Sequence, residues 1–391
     1  MVKRRQVAAA TPSPVSTAQC DEGTNQKTSM RRSSSSTNDV SQKKTQKQCT
    51  RLLTCQTVKK GIFTLTYDDG SKYVGEVQDH GTQKHRHGKG VFQTKHGDVM
   101  DGQWKDDRFH GFGTRDFAQT RDRHEGMYYK DKRHGRGTYL WTNGDKYVGE
   151  FYNGRMHGAG IFLSANGDVF EGTWAKGVVV HGTKTLANGD TIQGVDGASA
   201  WVDGLLTGDG IKRFRNGDTY HGHFDANVLS GYGVYCWTHG DVYHGLWQCN
   251  QMHGIGRFDA AATSASSRDV YYGEFVKGQY HGQGRLEYAS GAVYEGTFER
   301  HLRHGRGVYR WVDGDMYEGT WSKNLPSGMG FHVCEAFTYH GAWQDGWPHG
   351  VGLFRPRDDE AAASTSIRRH TFEYGRTQDD HALVLDQLCI V

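Results

Sequence analysis

The chain of 391 residues has little proline, little cysteine and no long apolar run. It contains five prolines and seven cysteines, and hydrophobic residues make up 35% of it. No apolar stretch approaches the roughly 20 residues of a membrane-spanning helix, and no secretory signal pattern is found. The cysteines are dispersed without C-x-x-C spacing, which favours reduced thiols in the cytosol. The hydrophobic content is also low for a large globule of ordinary composition.

The sequence also lacks the motifs of catalysis. There is no kinase motif set and no G-x-S-x-G elbow. The closest approach to a phosphate-binding loop fails because Thr183 separates Gly182 from Lys184. We therefore predict no catalytic residue, no cofactor and no small-molecule substrate. No nucleic-acid-binding module is present either, so no nucleic-acid partner is expected.

Charge is divided unevenly along the chain. Residues 1–60 carry 12 Lys and Arg against 3 Asp and Glu, a net charge of +9, whereas the whole chain is +3, so 61–391 carries −6. The first segment is also rich in Ser, Thr and Gln and poor in aromatic residues, which predicts disorder. Within it, two arginines precede Ser33 and Ser34, which makes these serines candidate phosphorylation sites. The alternative is a solvated low-complexity run.

Glycine, by contrast, is abundant and regularly spaced. Many of the 54 glycines stand in an aromatic-x-Gly-x-aromatic frame that recurs every 22 to 28 residues. A fixed period of this size indicates a repeat array. The frame glycines are Gly75, Gly102, Gly126, Gly149, Gly172, Gly194, Gly222, Gly245, Gly273, Gly296, Gly319 and Gly341.

A second motif, His-Gly-x-Gly, follows the first after a short gap, as in His134 to Gly137 and His304 to Gly307. The combined unit resembles the MORN (membrane occupation and recognition nexus) repeat, over about residues 61–354. Successive motif histidines would lie ~9–10 Å apart on alternate strands. They would therefore be too far apart to share a zinc ion, so no metal site is expected.

The repeat pattern predicts strands and turns. In Tyr317-Glu318-Gly319-Thr320-Trp321 the Tyr, Gly and Trp share one face. Asn143-Gly144 and similar pairs predict tight turns, because both residues tolerate positive φ. The predicted fold is all-β: an elongated, single-layer antiparallel array of about 12 β-hairpin repeats. A disordered tail precedes it at 1–60, and a short C-terminal cap follows the array of 61–354. Within residues 355–391 we expect a capping strand at Arg368 to Tyr374 and a short helix at Asp379 to Leu388.

One face of this sheet is predicted to be covered with aromatic rings that lie over glycines of neighbouring strands. A single layer has no second layer to cover it, so we expect the aromatic face to be exposed and to need a partner. A second copy of the chain is the simplest partner, which predicts a homodimer. The residues proposed for this interaction face are Tyr147, Phe151, Tyr220, Phe224, Tyr243, Trp247, Tyr294, Phe298, Tyr317 and Trp321.

The array is irregular around residues 178–210, where Asp196 occupies the place of the second aromatic residue. This irregularity is either a hinge or partner site, or simple sequence drift. The resemblance to MORN arrays implies a non-enzymatic scaffold that binds cytoskeletal or axonemal proteins, located in the cytoplasm, at the cytoskeleton or flagellum, or at the inner face of a membrane. The alternative is peripheral binding to acidic phospholipids through the basic tail. MORN repeats also occur beside lipid-kinase and methyltransferase domains, but no catalytic residues of either are present.

Overall fold

The computed structural model describes residues 52–81, 83–262, 267–357 and 368–377. Every regular element in these residues is a β-strand, which confirms the all-β prediction. The predictions for residues 1–51, including Ser33 and Ser34, and for the helix at Asp379 to Leu388 lie outside the described residues. Among the residues that are described there is no helix long and apolar enough to span a membrane.

From β3 to β26 the strands alternate between one that carries the aromatic-x-Gly-x-aromatic frame and one that carries His-Gly-x-Gly, and some strands carry a degenerate copy of the motif. Their bounds are β1 Leu52–Lys59, β2 Ile62–Tyr67, β3 Lys72–His80, β4 Gln83–Gln93, β5 Val99–Lys105, β6 Arg108–Asp116, β7 Arg123–Tyr129, β8 Lys132–Leu140, β9 Lys146–Tyr152, β10 Arg155–Leu163, β11 Val169–Ala175, β12 Val178–Thr185, β13 Thr191–Val202, β14 Leu205–Arg213, β15 Thr219–Asp225, β16 Val228–Cys236, β17 Val242–Gln248, β18 Gln251–Asp259, β19 Val270–Val276, β20 Gln279–Glu287, β21 Val293–Glu299, β22 Leu302–Arg310, β23 Met316–Ser322, β24 Leu325–Val333, β25 Phe337–Gln344, β26 Trp347–Pro356, β27 Arg368–Glu373 and β28 Arg376–Thr377.

The described residues divide into two compact units. One contains β1 to β14 and ends at Arg215, and the other begins at Asn216 and contains β15 to β28. In the first unit each strand pairs antiparallel with the next. The second unit has the same meander. Each unit is thus a run of hairpins in which contacts join neighbours along the chain, as in other repeat proteins.

From the β5–β6 hairpin onward, the tight turn inside each hairpin is a two-residue connection with positive φ at both positions. Lys130 and Asp131 have φ of 49° and 71°, and Cys249 and Asn250 have φ of 50° and 62°. This is the geometry of a type I′ turn, whose twist matches that of the flanking strands. Such turns fill the short gap between the two motifs and join the two strands of each predicted hairpin.

The Asn-Gly pairs form tight turns as predicted; these turns lie in the longer connection between hairpins, and positive φ is found only at the glycine. Gly144 has φ of +94°, but Asn143 is not among the positive-φ residues. The loop is closed by hydrogen bonds from Trp141 N to the Asp145 carbonyl (2.9 Å) and from Gly144 N to the Trp141 carbonyl (3.0 Å). The glycine alone therefore takes the left-handed conformation, in a turn longer than two residues.

The His-Gly-x-Gly strand contains a bulge in each regular hairpin. In β10, His157 pairs with Glu150 of β9 and Gly160 pairs with Gly149. Two residues of β10 between these pairs therefore have no partner in β9. Gly158, the first glycine of the motif, has φ of +62°. A glycine in left-handed conformation at a bulge redirects the strand, which explains why the residue after histidine is glycine.

The tail boundary differs from the prediction, and the C-terminal strand and the irregular repeat can now be described in detail. The sheet begins with β1 at Leu52, so the tail boundary at residue 60 was wrong: Leu52–Lys59 lacks the repeat motif but pairs with β2. At the other end β27 pairs with β26, which agrees with the expected capping strand. In β13, Gly194 pairs with Gly210 and Ser199 pairs with Gly208 of β14. The five-residue advance along β13 therefore lies opposite a two-residue advance along β14. This insertion shifts Trp201 into the aromatic position that Asp196 leaves vacant, where it contacts Phe170 at 4.9 Å.

Candidate functional site

The ten aromatic residues proposed as an exposed interaction face are all buried. Their exposed fractions lie between 0% for Tyr147 and 4% for Phe151. The expectation that this face is exposed and needs a partner was therefore wrong. These residues form the core of each unit, which we call the aromatic spine.

Glycines allow one layer of sheet to bury its own rings. Tyr147 on β9 contacts Phe151 of its own strand at 5.2 Å, and Trp174 on β11 at 5.1 Å, both edge to face. Between them β10 contributes Gly158 and Gly160, opposite Trp174 and Gly172. Because β10 places no side chain there, rings from strands two apart meet above it. Edge-to-face pairs of this kind add roughly 0.5–1.5 kcal/mol beyond the area that they bury.

The same alternation of contacts runs through the second unit. Tyr243 lies between Trp247 of its own strand (5.3 Å) and Phe275 of the next repeat (5.0 Å). Tyr294 likewise lies between Phe298 (5.0 Å) and Trp321 (5.3 Å). Each tyrosine therefore joins two repeats.

Every spine tyrosine lies flat across a pair of glycines on adjacent strands. A Cβ added to Gly149 would stand 2.5 Å from the Tyr147 Oη, closer than real Cβ contacts occur. The predicted cover from a neighbouring strand is only half of the arrangement, because Tyr147 covers Gly149 of its own strand as well as Gly160 of β10. Its hydroxyl donates to the Glu150 carbonyl (3.1 Å). Burial raises the pKa of Tyr147 to about 12, so the hydroxyl stays a donor at physiological pH.

One spine position holds a histidine in place of tyrosine. His124 is fully buried, and its Nδ1 lies 2.7 Å from the Tyr128 hydroxyl, while its Nε2 has no hydrogen-bond partner. Burial, together with the positive charge of Arg133, lowers the pKa of His124 to about 3. The ring is therefore neutral at pH 7, where it serves as a core residue.

Arginine side chains complete the core in some repeats, and the sequence reasoning missed them. The Arg303 guanidinium carbon lies 4.5 Å from the Trp321 ring centroid, and its Nη2 donates to the Asn324 carbonyl at 2.9 Å. The equivalent position on β18 is Met252, which pairs with Trp247 as Arg303 pairs with Phe298. Long side chains that precede His-Gly therefore face inward in both cases.

Aspartates after the inter-hairpin turns connect successive repeats. The Asp145 Oδ1 accepts the Ala165 backbone N–H at 2.8 Å, and Asp218 accepts that of Thr238 at 2.9 Å. Asp218 also accepts the Tyr235 hydroxyl at 2.9 Å. Burial raises the pKa of Asp218, but hydrogen bonds from Thr238, Asn216 and Tyr235 outweigh this effect and leave the pKa below its usual value.

The outward face of the sheet carries exposed side chains that differ between repeats. The middle residue of Gly-x-Gly is Phe112 (52% exposed), Tyr232 (62%), Ile255 (50%) and Met329 (57%) in four of them. The only structural requirement on these positions is that they face solvent. Their identity therefore differs from repeat to repeat while the buried spine stays the same.

Neither a metal centre nor an enclosed pocket stands out on this surface. No group of three or more His, Cys, Asp or Glu side chains that could hold a metal ion occurs in residues 52–81, 83–262, 267–357 and 368–377. An open cleft of about 510 Å³ lies on β16 to β19, and its lining includes Tyr232, Ile255, Arg257, Arg268 and Tyr272. The motif histidines, predicted to be structural, include His134, whose ring contacts Tyr129 and Tyr152 at 5.6 and 5.2 Å.

Comparisons with solved structures give weak similarities. The TCP domain of SAS-4 from Drosophila melanogaster, in complex with a proline-rich motif of Ana2, is 9% identical over 45% of this chain and 84% of that one, with a TM-score of 0.25. The TCP10 domain of Danio rerio CPAP, in complex with a STIL peptide, is 9% identical over 68% of this chain and 92% of that one, with a TM-score of 0.20. No curated protein matches the chain.

The family comparison is extensive. The family model described as the MORN repeat matches residues 101–119, 124–146, 147–169, 170–191, 199–219, 220–242, 243–261, 271–293, 294–316, 317–335 and 339–355. Together these segments cover more than half of the chain. Gly75 lies before the first matched segment, yet it is covered by Tyr73 in the same way as the later copies. From the repeated sequence, the repeated hairpin and this match, the chain belongs to the MORN repeat family.

Proposed function

We propose that this chain is a non-enzymatic scaffold that binds other proteins along the outward face of its repeats. MORN repeats are a non-catalytic repeat family, and they suggest a protein-interaction scaffold. The observation that carries the proposal is the contrast between the two faces of the sheet. The inner face repeats the same Tyr, Gly and Phe or Trp contacts, whereas the outer face changes from repeat to repeat.

This contrast favours recognition of proteins over catalysis. Tyr232, Ile255 and Met329 are each exposed by half or more of their surface. They lie on a face that needs no apolar side chain for folding. Exposed aromatic and methionine side chains are typical of protein-binding surfaces. Because these positions occur on every second strand, the array offers a series of them at a spacing of about 9.6 Å.

As partners we propose cytoskeletal or axonemal proteins, and as location the cytoplasm, at the cytoskeleton, the flagellum or the inner face of a membrane. Proximity labelling with the full chain in its native cell tests this. We expect enrichment of cytoskeletal or flagellar proteins over a free-enzyme control. Labelling no stronger than that of the control would contradict the scaffold proposal.

The homodimer stays a proposal, but it needs a different interface because the aromatic spine is buried. The available surfaces are the outward face and the edge strand β1, on which Leu53 and Val58 are 60% and 58% exposed. Light scattering coupled to size exclusion at micromolar concentration measures the mass directly. A mass of one chain at these concentrations would contradict the dimer.

Binding of acidic phospholipids by the basic tail is the second candidate. The observation that favours it is the net charge of +9 in residues 1–60, since each basic residue near an anionic membrane contributes about 1 kcal/mol. The test is sedimentation with phosphatidylserine vesicles, comparing the full chain with a variant whose tail Lys and Arg residues are changed to Gln. Equal sedimentation of both proteins would remove the tail from the mechanism.

A further inference from the structure

Five rings form a continuous row on the outward face of β6 to β10, separate from the buried spine. The centroid distances along the row are 5.2, 5.6, 5.2 and 5.6 Å, with interplanar angles between 42° and 55°. Tyr129 and Tyr152 are 47% and 54% exposed. We call this set the histidine–tyrosine row; its members are His110, Tyr129, His134, Tyr152 and His157.

Cationic side chains accompany the row on every second strand. Tyr129 stands opposite Lys132, and Tyr152 stands opposite Arg155, in the antiparallel register. Lys105 stands opposite Arg108 at the beginning of the row. Alternate strands are separated by about 9.6 Å, so Arg108, Lys132 and Arg155 form a single file of positive charges with tyrosines between them.

These charges are available for a partner. The arginine ion pairs in this part of the sheet belong to Arg86, Arg115 and Arg123, and within the described residues Arg108, Lys132 and Arg155 form none. The nearby turn aspartates are already engaged by the protein. Asp107 and Asp131 accept the backbone N–H groups of Arg86 and Phe109, and the carboxylate of Asp106 lies 3.7 Å from the His87 imidazole.

The repeat fold does not require this arrangement. In the second unit the pair beside the last turn, Glu373 and Arg376, contains one arginine. The other six equivalent cross-strand pairs of that unit contain no lysine and no arginine. They are Asp225 and Val228, Gln248 and Gln251, Val276 and Gln279, Glu299 and Leu302, Ser322 and Leu325, and Gln344 and Trp347.

We propose that the histidine–tyrosine row and its cations, Arg108, Lys132 and Arg155, bind an acidic, Asp- or Glu-rich peptide segment of a partner protein. This inference rests on the scaffold function proposed above and names one class of partner for it. A single file of cations matches a linear series of carboxylates, and the two tyrosine hydroxyls between them donate hydrogen bonds to the same groups.

The geometry of the rings favours a peptide over the other anionic polymers. Tyr129 and Tyr152 each contact an imidazole on both sides, so neither ring offers a free face for stacking with a nucleic-acid base. The rings lean on one another along the sheet, whereas insertion into a membrane interface uses an apolar face that projects from the surface.

The test uses the full chain and a fluorescein-labelled 16-residue peptide of alternating Glu and Ser, with anisotropy measured at 50 and 150 mM NaCl. We expect binding that weakens with salt. The triple variant Arg108→Gln, Lys132→Gln, Arg155→Gln removes three exposed ion pairs and should weaken binding roughly tenfold. Tyr129→Phe with Tyr152→Phe keeps the rings but removes both hydroxyl donors, and should weaken it roughly threefold.

The matched control is Lys277→Gln, Arg306→Gln, Lys323→Gln, which removes the same charge from exposed positions of the second unit. It should change binding less than twofold, and all variants should keep the wild-type thermal midpoint because the altered groups are exposed. Absence of peptide binding at 50 mM NaCl, or an equal loss in the control, would overturn the proposal. Tighter binding of a 16-residue oligo-dT or of phosphatidylserine vesicles through the same three cations would also overturn it, since the partner class would then be different.

The outcomes separate this surface from the scaffold function. If wild type and the triple variant label the same proteins in the cell, the surface proposal fails and the scaffold proposal stands. If neither labels any protein above the control, the scaffold proposal itself fails.

Discussion

A single methyl group at Gly256 should test how the spine holds a repeat together. In Gly256→Ala the three heavy atoms nearest to the new Cβ all belong to the Tyr243 ring, at no more than 2.6 Å. The backbone of Gly256 is not in the left-handed region, so alanine is strained there only by this ring. Tyr243 is itself fully buried and donates from its hydroxyl to the Leu246 carbonyl at 2.9 Å.

The expected cost follows from moving the ring. Overpacking of this kind costs ~1–3 kcal/mol, and loss of the tyrosine hydrogen bond adds about 1 kcal/mol. We therefore expect Gly256→Ala to lower the local free energy of unfolding by about 3 kcal/mol. Tyr243→Ala should cost about 3–5 kcal/mol. Once the ring is gone the methyl group has room, so the double variant should cost no more than Tyr243→Ala alone, a coupling of about 3 kcal/mol.

Hydrogen–deuterium exchange read by mass spectrometry suits this measurement because an array need not unfold as one unit. A loss of 3 kcal/mol corresponds to roughly 100-fold faster exchange in peptides from β17 and β18. The control is Ile255→Ala, whose side chain is half exposed on the outward face and should change exchange little. Additive effects of Gly256→Ala and Tyr243→Ala would refute the view that the glycine exists to accommodate the ring.

Three further changes probe other parts of the core. Because the pKa of His124 is lowered to about 3 in the folded state, its neutral form is compatible with the fold above pH 6.5 and stability is lost as pH falls below that value. Local stability around β7 should drop by about 2 kcal/mol between pH 7.5 and pH 5, and His124→Tyr should abolish that dependence in exchange measurements; an unchanged pH slope would contradict the assignment. Arg303→Met, which copies Met252, should stay within about 1 kcal/mol of wild type in thermal unfolding, whereas Arg303→Ala should cost about 2–3 kcal/mol through lost packing. Comparable losses in both variants would instead assign the stability to the charge. Asp218→Ala leaves the Thr238 N–H and the Tyr235 hydroxyl without their acceptor and should cost about 2 kcal/mol, seen as faster exchange in β15 to β17; protection equal to wild type would show that the aspartate does not couple the repeats.

The fate of the predicted interaction face shows where sequence reasoning stops. The alternation in Tyr317-x-Gly319-x-Trp321 placed these residues on one face, and they do share it. Whether that face is exposed depends on contacts between rings two strands apart, and those depend on the glycines of the strand between. The pattern of one strand contains no information about this distance, so a buried core was mistaken for an open surface.

Local chemistry was enough for other features. The period of the glycines determined the repeat, the hairpins and the all-β class, because spacing and strand parity are properties of the chain itself. In contrast, Trp201 reaches the place of the missing aromatic residue only through an insertion in β13, which is visible in the register and not in the motif.

The outward surface divides in the same way. The hairpin that the sequence predicts for each repeat places Tyr129, Lys132 and His134 on either side of one short gap between the two motifs. Only the tertiary structure decided that Tyr152, Arg155 and His157 of the next repeat extend the same row, because the antiparallel register sets which side chains of successive hairpins become neighbours. Residues 23 positions apart become neighbours on this sheet because glycine pairs with glycine between adjacent strands, so equivalent residues of successive repeats are aligned.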